Sequence, residues 1–225
     1  MKLLAIDTAT ENCSAALLAD EHLLERQIEC TRGHAEHILG MIDALLGEAG
    51  VRLGALDAIA FGRGPGSFTG VRLAASVTQG LAFGASLGVV AISDLQALAQ
   101  RGLGLGPWVD RIVVCNDARM GEAYCACYER RGEWAVPLGP ERVGTAETLA
   151  GTCRGHTGIG RAFAAYPHLA ERLGVAVPPG WEGLLPRARE IAQLAAPEVR
   201  QGRLLAPDQA LPSYVRNTVA RPSSV

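Results

Sequence analysis

Asp7 and Asp117 are the two carboxylates whose setting in this chain invites chemistry. Each closes an apolar run, LLAID at residues 3–7 and IVVCND at residues 112–117. Carboxylates at strand ends are what a two-lobed phosphotransferase uses to hold magnesium-bound phosphates across its cleft. The same position lets an aspartate accept backbone N–H groups within its own turn. A third feature is the run GRGPGSFTGVR at residues 62–72, which leads into a helical stretch. Ser67 or Thr69 can cap that helix, and the free amides of its first turn, with Gly64 and Gly66 before them, favour an anion. An equally open reading is a strand–helix corner whose glycines permit positive φ and close backbone approach. The run is not a P-loop, since it lacks the G-x-x-x-x-G-K-[ST] order and any lysine. It is not a dinucleotide fingerprint, and Pro65 before Gly66 and Ser67 excludes a G-x-S-x-G elbow. His34 and His37 could share a helix face and bind zinc, but no H-E-x-x-H and no third ligand accompany them. Histidines at a helix start are more simply polar caps or surface residues.

The elements that must position these residues follow from pattern. The 225 residues are 48% hydrophobic, enough for a core in one large domain or two small ones. Net charge is −2, so no global basic field recruits nucleic acid, and Lys2 is the sole lysine. If RNA is the substrate, something besides overall charge supplies much of the phosphate binding. Six cysteines without a C-x-x-C pair read as reduced, buried thiols of a cytosolic protein. Asp7 ends the first apolar run and no later stretch is long enough for a bilayer, so a cytoplasmic protein with no membrane contact is expected. Strand, turn, strand, strand is expected to residue 30, a helix over HAEHILGMIDALLGEAG stopped by Gly50, a strand over LDAIAFGRG, a helix over FTGVRLAASVTQGLAFGA, the strand GVVAI and the helix SDLQALAQRG capped by Ser93. GLGLGP at 102–107 reads as a hinge between an N-terminal half, 1–102, and a C-terminal half, 108–225. There the pattern restarts as strand, Asp-bearing turn, strand, which superposes Asp117 on Asp7 and suggests a duplicated architecture with a cleft between the halves. Strand EWAVPLG, helix TAETLA, strand HTGIG, helix AFAAYPHLAERL and a long helix around LLPRAREIAQLAAPEVRQG follow, the last helix and tail packing back on the first half.

The first helix carries Ile38, Leu39, Met41, Ile42, Leu45 and Leu46, more than the one apolar stripe of a surface helix. The second is poor in side-chain bulk, with Gly70, Ala74, Ala75, Ser76, Gly80, Ala82 and Gly84, so another helix could approach it closely. Together they read as a platform for a protein interface or, alternatively, as a core pair covered by the rest of the chain.

Four segments in order, LLAIDTAT, GRGPGSFTGVR, DARMGEAY and PSYVRN, resemble the TsaB (YeaZ) family of bacterial threonylcarbamoyladenosine biosynthesis proteins over essentially the whole chain. The resemblance implies an α/β actin-like ATPase (ASKHA) fold of two related ribonuclease-H-like halves. It implies a non-catalytic accessory subunit that binds and stabilises TsaD, enables docking of the ATPase TsaE, and reaches tRNA through the complex, with a homodimer when TsaD is absent. TsaD holds its metal in an H-x-x-x-H motif. His34 falls at the first of those histidines and Ile38 replaces the second, so neither a metal nor a catalytic residue is expected here. The implied interface comprises His34, Ile38, Met41, Ile42, Leu45, Phe68, Val71 and Ala75. Asp7, Gly64, Gly66, Ser67 and Asp117 would form a degenerate phosphate loop with room for weak ATP or ADP binding and no other cofactor. The competing readings are a glycoprotease-like hydrolase acting alone, and a free-standing ATPase or kinase using Asp7 and Asp117. No complete metal set or nucleophile with a base supports the first, and no phosphate-binding lysine supports the second.

Overall fold

β1 (Lys2–Asp7), β2 (Asn12–Ala19) and β3 (His22–Glu29) form an antiparallel meander. β4 (Ala58–Gly62) and β5 (Gly88–Ile92) add in parallel beyond β1, giving the order β3-β2-β1-β4-β5. The computed structural model describes residues 1–151 and 153–215. β1 is covered on both sides, and its alternation sends Leu4 and Ile6 into one core and Leu3 and Ala5 into another. α1 (His34–Ala49) and α2 (Phe68–Ala85) lie on the Leu4/Ile6 face. Gly50, at φ 62, closes α1, and Ser67 caps α2 by accepting from the Gly70 amide.

α3 (Asp94–Leu105), capped by Ser93, crosses to a second sheet. That sheet contains β6 (Arg111–Asp117), β7 (Ala123–Arg131), β8 (Trp134–Pro137), β9 (Arg142–Gly144) and β10 (Thr157–Ile159). Its order is β10-β6-β7-β8, with β9 pairing the opposite end of β7. β6 and β7 are antiparallel and β10 is parallel to β6, as β1 and β2 are antiparallel and β4 is parallel to β1. Two ribonuclease-H-like units in tandem make the actin-like ATPase fold, with Asp7 and Asp117 ending the first strand of each. α4 (Ala162–Ala165) and α5 (Leu169–Leu173) cover the second sheet. α6 (Ala188–Arg200) returns to the first half and packs on its Leu3/Ala5 face.

Several elements differ from the sequence expectation. GLGLGP is no hinge at its start, because α3 runs on to Leu105 and its Leu95, Leu98 and Leu103 share a core with Ile112, Val114 and Tyr128 of the second half. Gly102 is there for close approach: a Cβ would lie 2.8 Å from Ile112 Cδ1. AFAAYPHLAERL is two short helices, since Pro167 lacks an amide and disfavours helical geometry at Tyr166. TAETLA is a set of turns in which the Thr148 hydroxyl donates to the Thr145 carbonyl at 3.1 Å. Cys127 and Cys153, expected as free thiols, are joined as a disulfide with Cα atoms 6.5 Å apart. Among the described residues no helix is long and apolar enough to cross a membrane. Arg216 and Asn217 of PSYVRN, the end of the 108–225 half and the rest of the tail lie outside the described residues.

Candidate functional site

The glycine run is built as a tight corner. Gly64 sits at φ +97 and its amide donates to Asp94 Oδ2. The Ser67 amide donates to the Ala9 carbonyl at 2.7 Å, and the Thr8 hydroxyl donates to the Gly70 carbonyl at 2.7 Å. A Cβ on Gly66 would lie 2.4 Å from the Ala9 carbonyl oxygen, and one on Gly70 2.0 Å from that of Thr8. The start of α2 is thus pressed directly onto the β1–β2 turn, and the amides of Gly64, Ser67 and Gly70 are bonded within the chain. Gly66, Ser67 and Phe68 do line the cleft between the halves, a space of about 320 Å³.

Behind this corner lies a carboxyl pair for which the sequence carries no clear signal. Asp7 and Asp94 are both fully buried. Asp7 Oδ1 accepts the Ala9 amide at 2.8 Å and Asp94 Oδ2 accepts the Gly64 amide, while Asp7 Oδ2 and Asp94 Oδ1 are buried without a partner and both side chains crowd the Gly62 Cα. Burial pushes the Asp7 carboxyl up to about 6, opposed by the Ala9 hydrogen bond. Burial and then the Asp7 charge push Asp94 well above the usual carboxylate range. Two neighbouring buried carboxyls do not both carry charge readily, so at neutral pH the pair favours keeping a proton. Asp94 could have been found only from its place just after the Ser93 cap, where an acidic residue ordinarily serves the helix dipole.

Asp117 is placed differently. Its Oδ1 accepts the Arg119 amide at 2.7 Å and the Tyr166 hydroxyl at 2.7 Å, and its Oδ2 accepts Arg119 Nη1 at 2.9 Å. It lines the cleft, whereas Asp7 is sealed beneath the loop, so the two do not face each other across one site. Each aspartate serves its own turn. At the lip of the cleft the Arg72 guanidinium lies 3.2 Å over the Phe68 ring and 5.3 Å from that of Tyr214, which belongs to PSYVRN.

The eight interface residues divide between core and surface. Ile38, Ile42, Leu45 and Ala75 are buried in the core against the first sheet, which removes them from the surface, and Val71 is buried beside the cleft. Met41 is half-buried against the same cluster. His34 is also half-buried, its Nε2 bonded to the Thr10 carbonyl at 2.8 Å and its Nδ1 near Cys30 Sγ at 3.8 Å. Phe68 is 57% exposed. His37 is exposed, and among the described residues no three His, Cys, Asp or Glu side chains group to hold a metal ion. The outward faces of the helices carry other residues: Leu39, Gly40, Ala44 and Gly47 on α1, and Ser76, Gly80, Phe83 and Gly84 on α2. Gly40, Gly47, Gly80 and Gly84 have nothing within 4 Å of where a Cβ would stand.

Comparison with known proteins agrees with this architecture. The family described as "TsaD: tRNA N6-adenosine threonylcarbamoyltransferase" matches residues 26–157. The tRNA threonylcarbamoyladenosine biosynthesis protein TsaB of Escherichia coli is 38% identical, the match covering 98% of this chain and 96% of that one. The chain belongs to the TsaB family. TsaB of Haemophilus influenzae is 37% identical over 97% of this chain and 95% of its own. The solved structure of YeaZ from Pseudomonas aeruginosa is similar at TM-score 0.85 and 40% identity, covering 95% of this chain and 99% of that one.

Proposed function

We propose that this protein is a non-catalytic accessory subunit of the assembly that forms threonylcarbamoyladenosine in tRNA, and that it docks TsaD through the outward faces of α1 and α2. One observation carries the docking surface. Gly40, Gly47, Gly80 and Gly84 sit in helices, where each is about 1 kcal/mol less favourable than alanine, and beyond the local helix backbone nothing lies within 4 Å of where a Cβ would stand. Glycines that destabilise a helix without serving its own packing suit close approach by another backbone. Leu39, 54% exposed, and Phe83, 73% exposed, flank them as apolar anchors. The same faces would pair two copies when TsaD is absent, and the joined pair would offer TsaE its docking surface.

The inward side of the corner supports the non-catalytic reading. Asp7 is sealed off, Asp117 is held by its own turn, and both ring nitrogens of His34 are engaged within the chain. With the Gly64, Ser67 and Gly70 amides already bonded and no lysine in the loop, nucleotide affinity of the isolated chain should be on the order of millimolar or weaker. Calorimetry giving a micromolar constant for ATP or ADP would revive a kinase-like role. Membership of the TsaB family supports work on tRNA, and on this reading the protein acts in the cytoplasm. The direct test is co-purification with TsaD and a modification assay in which each subunit is omitted in turn. This chain alone should transfer no threonylcarbamoyl group, and its omission should abolish or greatly reduce modification. Full modification without it would refute the accessory role.

A further inference from the structure

A second surface lies on the opposite side of the first sheet from α1 and α2, where α3, α6 and β8 enclose a groove of about 650 Å³. Five arginines line it (Arg101, Arg130, Arg187, Arg189 and Arg200) against two glutamates, Glu133 and Glu190. In a chain of net charge −2 this is a concentrated positive field. Arg187 is paired with Glu190, and Arg189 with Glu25 at 3.2 Å. The others have no ion-pair partner among the described residues. Arg101 Nη1 donates to the Leu185 carbonyl at 2.7 Å, while its buried Nε has no partner. Arg130 is held by the carbonyls of Val109, Leu103 and Gly106, each at 3.0 Å. Their charges are fixed in orientation yet not neutralised. Desolvation, and then the Arg187 charge, lower the Arg101 pKa, so an incoming anion would relieve existing repulsion.

We propose that this groove binds the phosphodiester backbone of RNA, the RNA being tRNA on the reading of function given above. Length favours a polymer over a single anion. Arg187 precedes the first residue of α6 and Arg200 is its last, so the two are separated by about 20 Å of helix, the span of several successive phosphates. The half-buried Trp134 adds a ring against which a base can stack. The groove and the glycine-bearing helix faces lie on opposite sides of one sheet, so RNA and TsaD can be bound together.

The test uses the full chain, fluorescence anisotropy of a labelled unmodified tRNA transcript, and a series of salt concentrations. Wild-type binding should weaken steeply with salt. Arg200→Glu loses no internal partner and only its favourable place at the α6 C-terminus, so its melting temperature should fall by no more than about 4 °C while it binds tRNA about tenfold more weakly and lowers the salt slope by about one to two. Arg101→Gln should weaken binding in the same direction. Arg52→Gln, at an exposed arginine outside the groove, should bind tRNA nearly as wild type does. Wild-type affinity for tRNA in Arg200→Glu would overturn the proposal, as would no binding by the wild-type chain at low salt. So would a polyglutamate peptide that occupies the groove where tRNA does not. TsaD capture is measured in parallel: failure of wild-type capture with an Arg200-dependent tRNA signal would refute the partner reading and leave the groove standing.

Discussion

Asp7 and Asp117 occupy equivalent corners of two equivalent sheets, yet their surroundings diverge. Both accept the amide two residues on, Ala9 at 2.8 Å and Arg119 at 2.7 Å. In the first half the corner is closed over by α2 and backed by Asp94; in the second it opens to the cleft and is tied by Arg119 and Tyr166. The helices diverge as well, α1 and α2 having 16 and 18 residues and α4 and α5 only 4 and 5. The shared strand–Asp–turn unit is therefore explained by backbone satisfaction in both halves. What differs is the surface that each half presents, and among the described residues the long helices with unoccupied glycines belong to the first half.

The comparison can be broken most severely at the closed corner. Gly70→Ala forces a methyl against the Thr8 carbonyl and should cost at least about 3 kcal/mol in a urea titration. A loss under about 1 kcal/mol would show that α2 is not pressed onto the β1–β2 turn. The next effect is electrostatic. Asp7 holds its proton to about pH 6 when folded, against 3.8 in the reference state. A raised folded pKa stabilises fully below the unfolded value and is lost as pH rises through the folded one. Asp7 alone should therefore lower stability by on the order of 2–3 kcal/mol between pH 4 and 7, and the raised Asp94 carboxyl adds to the same fall. Asp94→Asn, whose amide can still accept from Gly64 and donates to Asp7, should flatten that slope and raise stability at pH 8 by about 1 kcal/mol. An unchanged slope would mean that the two carboxyls do not share a proton. At the open corner Asp117→Asn loses the ion pair with the exposed Arg119 and should cost only about 0.5–1 kcal/mol by thermal melting. A loss as large as that of Gly70→Ala would erase the distinction between the corners.

Much of the fold was legible because local signals agreed with the packing. Ser67 and Gly50 bound α2 and α1 as their capping chemistry requires, and the strand–Asp–turn restart at residue 111 marks the second half. α3 was read too short because Gly102 looks like a breaker locally and is a packing residue only beside Ile112. The carboxyl pair was illegible, since Asp94 meets Asp7 only when α3 docks behind β1 and β4. The two helices were legible, but not which of their side chains face outward. Ile38, Ile42 and Leu45 repeat at core spacing and are covered by the sheet, which leaves Leu39 and the glycines facing out. Gly70 and Gly80 look alike in sequence; one touches the Thr8 backbone and the other touches nothing.

Gly80→Leu separates the fold from the docking surface. The position is helical with open space around it, so the isolated chain should be stabilised by about 0.5–1 kcal/mol. If another backbone approaches that face, the added side chain obstructs it. Calorimetric titration with TsaD should then show affinity at least about thirtyfold weaker, some 2 kcal/mol, despite the more stable monomer. A folded Gly80→Leu protein that binds TsaD within twofold of wild type would contradict the assignment of the α1–α2 outer face as the docking surface.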